Sequence, residues 1–302
     1  MRAPVPLYLR QEAVKRLTTK RNYQHPSNRR AAWLANWIAN HRALRNARRW
    51  LLQRLPFPVL ESDVRDIVYL NWVVPLARVA AWVPPGVELN ARDGETILTV
   101  LSYRHGHFGP RLLGPLRRMF PSPLQSNWRF YVSSLHGRAV EQPTVLFIKN
   151  YFDNGLYAVG TRTGSDALPS DLAGVFRHGR SGHEVSTRLQ RDTDRLEFES
   201  EVVISSQGRL PTAFARFFSS WEEAVAMLSL QDSAVVQTPD LGCLAQADIA
   251  LPIDQESVAP LAATHYLPGP LLQALGASGE PFCFFVPHVN FQVLSERLLP
   301  AR

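Results

Sequence analysis

The sequence predicts an α+β fold built on an antiparallel sheet that curls or closes on itself. Short alternating or β-branched apolar runs recur from about residue 64 onward, Gly, Asn, Asp and Pro signals separate them, and few segments carry helical spacing. The chain has 302 residues, 45% hydrophobic and 20% charged, enough for one large domain with an extension. The expected division is a basic helical extension over 1–60 and a sheet domain over 61–302.

Taken in order, residues 29–55 read as one amphipathic helix. Trp33, Trp37, His41, Leu44, Leu51 and Leu55 recur on one stripe, while Arg42, Arg45, Arg48, Arg49 and Arg54 cover much of the rest. Ser27 is placed to cap this helix, and Pro56 and Pro58 stop it. Val73 to Val83 reads as a short helix halted by Pro84-Pro85-Gly86. A turn at Arg92-Asp93-Gly94 precedes a strand from Thr96 to Tyr103. Asn127 to Ser134 alternates, with Trp128, Phe130 and Val132 on one face and Asn127, Arg129 and Tyr131 on the other. Val145 to Phe152 and Leu156 to Arg162 flank Asp153-Asn154-Gly155, which reads as an antiparallel hairpin turn. Strands follow at Glu184 to Gln190 and at Arg195 to Ser205, the second with Glu197, Glu199 and Glu201 on a wet face. Ser220-Trp221-Glu222-Glu223 is a capping box opening a helix to about Leu230. The last strand, Phe282 to Leu294, carries His288, Asn290 and Gln292 on one face.

Charge is uneven. Thirteen of the 33 Lys+Arg and one of the 26 acidic residues fall in 1–60, so that segment carries +12 and the remainder −5. This argues against nucleic acid as a partner of the folded body. It leaves the 29–55 helix four uses: packing on the body with its arginines in water, or docking on an anionic membrane surface, on nucleic-acid phosphate or on a partner protein. Cys243 and Cys283 make neither a disulfide framework nor a zinc site. With no apolar run long enough to span a membrane and no signal-peptide pattern, a cytoplasmic protein is expected, the Arg-rich, acid-poor start leaving a transit peptide as the alternative. No phosphate loop, nucleophile elbow or zinc-protease motif occurs, and no cofactor is expected.

The stretches Leu70-Asn71-Trp72-Val73-Val74-Pro75 and Val83-Pro84-Pro85-Gly86-Val87-Glu88-Leu89 resemble the opening of the YqjF-like proteins of unknown function, in the acetoacetate decarboxylase-like superfamily. The resemblance continues through Ser126-Asn127-Trp128-Arg129-Phe130-Tyr131-Val132, Asp153-Asn154, Ala167-Leu168-Pro169, Val185-Ser186-Thr187-Arg188, Leu251-Pro252 and Phe285-Val286-Pro287-His288-Val289, covering roughly 65–297. It implies a barrel-like antiparallel double sheet around a small-molecule cavity. It also implies, for the decarboxylases, a Schiff-base lysine after a Gly-x-Pro-like turn. Here Ser170 and Asp171 stand at that place and Arg129 replaces the strand glutamate, which argues against acetoacetate decarboxylase activity.

Among candidate site residues, Arg129 comes first, because a guanidinium in a mostly apolar strand needs an anion and its fork suits a carboxylate. The competing reading is a structural ion pair with Asp153 or Asp171. Tyr131, Tyr103, His288 and Asn290 join Arg129 as candidate ligand contacts, and Lys149, Tyr131 and His105 are the catalytic candidates. Lys149 is the one lysine of the body, the others being Lys15 and Lys20. It is read as sharing a face with Val145, Phe147 and Tyr151, an apolar wall that would make its amine nucleophilic. The plainer alternative is a lysine at a strand end with its head in water. His105 and His107, with His183 or His288, lack carboxylate or cysteine spacing, so no metal is expected; lining a basic pocket mouth with Arg104, Arg111, Arg117 and Arg118 is the other reading. The leading functional expectation is a binder of a small carboxylate or keto compound, either inert or a lyase or isomerase without a Schiff base. The alternatives are a docking module and a decarboxylase using Lys149. A homo-oligomer is compatible with the sequence.

Overall fold

The computed structural model describes residues 22–27, 30–192, 194–238 and 240–300. Lys15, Lys20 and Arg29, the first residue of the expected 29–55 helix, lie outside those residues. The amphipathic stretch forms two helices rather than one, α1 (Arg30–Asn40) and α2 (Arg42–Leu52), broken at His41 with φ −78° and ψ 111°. The break has partners on both sides. The Asn40 side chain pairs with both backbone groups of Tyr23 at 3.0 Å, and Arg45 Nη2 donates to Ala39 O at 2.9 Å, satisfying a terminal carbonyl of α1.

Strands follow as β1 (Leu60–Pro75), β2 (Val87–Leu89), β3 (Ala91–Arg92), β4 (Glu95–Arg104), β5 (Gly109–Pro110), β6 (Leu124–Leu135), β7 (Arg138–Phe152) and β8 (Asp171–Leu172). Then come β9 (Val175–Ser181), β10 (Glu184–Asp192), β11 (Arg195–Ile204), β12 (Ser233–Gln237), β13 (Leu244–Ala250), β14 (Ala259–Pro268) and β15 (Phe282–Leu299). Short helices α3 (Leu76–Val79), α4 (Gly155–Gly164), α5 (Trp221–Ser229) and α6 (Pro270–Leu275) interrupt them. The expected α+β class is what forms.

The sheet closes into a ring in the order β1, β4, β6, β7, β12, β13, β15, with β15 pairing back onto β1 from Leu60↔Val293 to Asn71↔Phe282. Most pairings are antiparallel; β7 runs parallel to β12 and to β8. From β15 a second layer continues through β14, β11, β10 and β9 and folds over the outer face of the ring. Strand β6 shows why both faces are apolar or buried. Trp128, Phe130 and Val132 pack outward with Phe198, Val185 and Leu189 of the second layer, while Tyr131 packs inward with Tyr69, Val145 and α5. Helix α5 plugs one end of the ring, and α1, α2 and α4 gather at the other.

Several elements differ from the sequence expectation. The expected helix at Val73 to Val83 begins only at Leu76, because Val73 to Pro75 stay in β1 paired with Glu95 to Ile97. The expected hairpin at Asp153-Asn154-Gly155 is a strand-to-helix junction. Asn154 Oδ1 accepts from Leu156 N at 2.9 Å as the cap of α4, so Leu156 to Arg162 is helical and β7 returns parallel through β8. Asn serves a turn or a cap with the same side-chain oxygen. Ser170 precedes strand β8 and Asp171 opens it. Glu197, expected on a wet face, is buried, because the β10–β11 ladder slips between Leu189 and Gln190. The capping box opens α5 as expected, with Ser220 accepting from Glu223 N at 3.1 Å, although the Glu223 carboxylate reaches Ser219 rather than Ser220. No helix among the described residues is long and apolar enough to cross a membrane.

Candidate functional site

A cavity of about 480 Å³ fills the ring between α5 and the α1–α2–α4 end. Its walls are largely apolar: Val64 and Ile67 of β1, Leu101 of β4, Phe147 of β7, Ile249 of β13 and Phe291 of β15. Its fully buried polar groups come from the inward face of β6, Gln125, Asn127 and Arg129, with Tyr69 and Tyr103 beside them, while Thr161, Ser165, Arg48 and Glu296 border it at the helical end. The alternation of β6 places these three on one wall.

Arg129 is 3% exposed. Its Nη2 donates to Leu228 O at 2.7 Å, and the Tyr131 hydroxyl donates to the same carbonyl at 2.9 Å. That carbonyl lies in the last turn of α5, where unfilled acceptors and the helix dipole favour a cation. The guanidinium also lies over the Tyr69 and Tyr131 rings, 5.5 and 5.7 Å from their centroids. Among the described residues it has no carboxylate partner. Asp153 instead accepts from Leu124 N at 2.9 Å, and Asp171 pairs elsewhere, so the competing structural ion pair does not form. Arg129 Nε and Asn127 Oδ1 are buried without a hydrogen-bond partner. The guanidinium is thus a buried cation held by neutral groups, with one donor left without a partner. Burial raises the Tyr69, Tyr103 and Tyr131 hydroxyls, which stay protonated and able to donate.

The other candidates fall in different places. Tyr103 lines the cavity. Tyr131 is on the same inward face but is engaged with Leu228 and, at 2.8 Å, with Thr99 Oγ1. His105 is buried next to the wall, bridging Ser62 Oγ at 2.8 Å and Gln125 Oε1 at 2.7 Å and stacking on Phe108 at 4.6 Å. Burial pushes its pKa down to about 4, against the smaller opposing effect of Gln125. His288 and Asn290 face outward on β15. His288 is exposed, and Asn290 donates to Glu61 and Asp63 at 2.9 and 3.2 Å; the inward neighbours Val289 and Phe291 line the cavity instead. Arg117 likewise turns to Glu61 at 3.4 Å. Among the described residues no group of three or more His, Cys, Asp and Glu is arranged to hold a metal.

Lys149 does not share a face with Phe147. Trp128 pairs with Lys149 but Arg129 pairs with Phe147, so Ile148 is an inserted bulge residue that turns everything after it over. Lys149 therefore points away from Arg129, into a separate cleft of about 30 Å³, with Nζ 2.8 Å from Asp171 Oδ2. Arg162 Nη2 holds the other oxygen at 2.6 Å. Burial would raise the Asp171 carboxyl, but Lys149 and Arg162 bring it down to about 2. The apolar surroundings expected for a nucleophilic amine are replaced by an ion pair. Three cavity residues were not singled out from the sequence, Tyr69, Gln125 and Asn127, because their place on the inner wall depends on the closed ring.

A family model for DUF2071, described as an uncharacterized conserved protein, matches residues 61–224. No curated protein matches the sequence. Solved structures share the fold at low identity. The enduracididine biosynthesis enzyme MppR complexed with pyruvate is 15% identical with a TM-score of 0.54, covering 82% of this chain and 92% of its own. An acetoacetate decarboxylase-like enzyme from Sphingomonas wittichii RW1 is 11% identical with a TM-score of 0.54, covering 82% and 95%. Acetoacetate decarboxylase from Legionella pneumophila subsp. pneumophila str. Philadelphia 1 is 13% identical with a TM-score of 0.54, covering 82% and 93%.

Proposed function

The chain belongs to the DUF2071 family of uncharacterized conserved proteins, and from that membership and its cavity we propose that it binds a small organic acid or keto compound inside the ring, anchored by Arg129. One observation carries the reading: a buried guanidinium with a free Nε, no carboxylate partner among the described residues, and an internal space in front of it. An unpaired buried cation is costly, and a bound carboxylate offsets that cost through charge-assisted hydrogen bonds. The complex of the structural neighbour MppR with pyruvate supports the ligand class. Chemistry through Lys149 is not part of the proposal, since that amine is ion-paired to Asp171 outside the cavity.

Thermal shifts against a panel of carboxylates test the anchor. A ligand at a hundredfold its Kd stabilises by about 2.7 kcal/mol. That shift is expected for the wild type and lost in Arg129→Leu; equal shifts in both refute the assignment.

A second reading concerns α1 and α2. Arg45, Arg48 and Arg49 turn inward to Asp166, Asp240 and Glu296, while Trp33, Trp37, Trp50, Leu34, Leu44 and Leu51 are exposed with Arg42 and Arg54 beside them. An outward face of tryptophan and leucine with flanking arginine suits an anionic membrane surface. Sedimentation with phosphatidylserine vesicles should fall in the triple variant Trp33→Ser, Trp37→Ser, Trp50→Ser. Unchanged partitioning removes this reading.

A further inference from the structure

The fully buried polar side chains of the cavity, Gln125, Asn127 and Arg129, are gathered along β6 and the walls leading away from them are apolar; at the helical end Thr161, Ser165 and the Arg48–Glu296 pair, 3.2 Å apart, border it. Along β1 the lining runs from Tyr69, beside Arg129, through Ile67 and Val64 to Leu60 at the helical end. Val289, Phe291 and Val293 of β15 line the space across the same ladder. At ~3.3 Å per strand residue, Tyr69 and Leu60 are separated by roughly 30 Å of strand. The bore is also kept open where the chain leaves it. Gly160 and Gly164, one turn apart on α4, border the cavity, and nothing lies within 4 Å of where a Cβ would stand at either position. A three-carbon acid occupies a few water volumes of ~30 Å³ each. It would fill only the Arg129 end of the 480 Å³ and leave the apolar walls uncovered.

Resting on the reading of Arg129 as an acid anchor, we infer that the acid carries a long apolar tail: an acyl-chain carboxylate, its head at Arg129 and its chain directed along β1 and β15 toward Leu60 and the glycines of α4. The hydrophobic contribution of the walls then sets affinity, while Arg129 sets orientation.

Isothermal titration of the full chain with butanoate, hexanoate, octanoate and decanoate, with octanol as the uncharged control, tests this. Affinity should rise about threefold or more per added methylene, as expected for full burial of each. Octanoate should bind more tightly than octanol in the wild type, and that preference should vanish in Arg129→Leu. Gly160→Leu, which replaces a poor helix former by a good one, keeps the test alive if Arg129→Leu does not fold. It should weaken decanoate at least tenfold and leave butanoate unchanged. Affinity independent of chain length, with the Arg129 requirement intact, overturns the tail and leaves the anchor standing. Equal binding of every acid to wild type and Arg129→Leu overturns the anchor and this inference with it.

Discussion

Arg129 and His105 show opposite solutions to burying a titratable side chain. Arg129 keeps its charge, held by the last turn of α5 and two tyrosine rings. His105 is kept neutral, its two ring nitrogens used by Ser62 and Gln125. The histidine has a consequence for pH. Its folded pKa of about 4 lies below the ordinary 6.5, so between those values the unfolded chain binds more protons and stability falls as pH falls. The full loss for this group is roughly 3 kcal/mol by pH 4. Burial lowers His178 too, so it adds in the same direction, whereas Asp171 titrates only near pH 2. Urea unfolding from pH 7 to 4 should give a steep decline in the wild type and a shallower one in His105→Gln; identical slopes contradict the account. The alternation that puts Arg129 inside was legible in the sequence, because period two needs no tertiary knowledge. The neutrality of His105 was not, since Ser62 and Gln125 are brought to it by two other strands.

At the scale of elements, the sequence marked where structure changes better than what it changes to. The capping box at Ser220 opens its helix as read, because its hydroxyl fills a fixed donor, whereas the basic helix ends at Leu52, short of the expected Leu55 and Pro56. Asn154-Gly155 does not choose between turn and cap, and burial of Ala158 and Arg162, one turn apart, decides for the helix. The basic extension was misjudged for a related reason: periodicity shows a face but not what meets it. Its arginine face meets acids. Arg49 holds Asp166 through Nε at 2.9 Å and Nη2 at 2.6 Å, and Asp240 through Nη1 at 2.8 Å; Arg48 reaches Asp166 at 2.6 Å and Glu296 at 3.2 Å. Removing one partner from a nearly buried network strands the others, at a cost on the order of 3 kcal/mol. Asp166→Asn is therefore expected to loosen α1 and α2, read as faster proteolytic cleavage within 30–60 with the sheet domain intact. Unaltered protection would mean that apolar packing alone holds these helices.

Across the whole molecule, the ring and its outer layer divide the interior into compartments that share walls. The core between layers packs Trp128, Phe130 and Phe198, and the space inside the ring holds Arg129 and the cavity. Curling or closure of the sheet was legible from the number of strands and turns; the pairing of β15 with β1 that completes the ring was not, since more than two hundred residues separate them. Strands β6 and β7 are the wall between compartments, and the bulge at Ile148 lies in that wall. Upstream of it β7 gives Phe147 to the cavity inside the ring; downstream it gives Lys149 to the opposite side, against Asp171. The one lysine of residues 61–302 is thus one residue out of phase with the face that carries Arg129. Which side of this wall carries the amine is set by how many residues β7 places across it, so exchanging side chains without changing that count leaves Lys149 outside the chamber that holds Arg129.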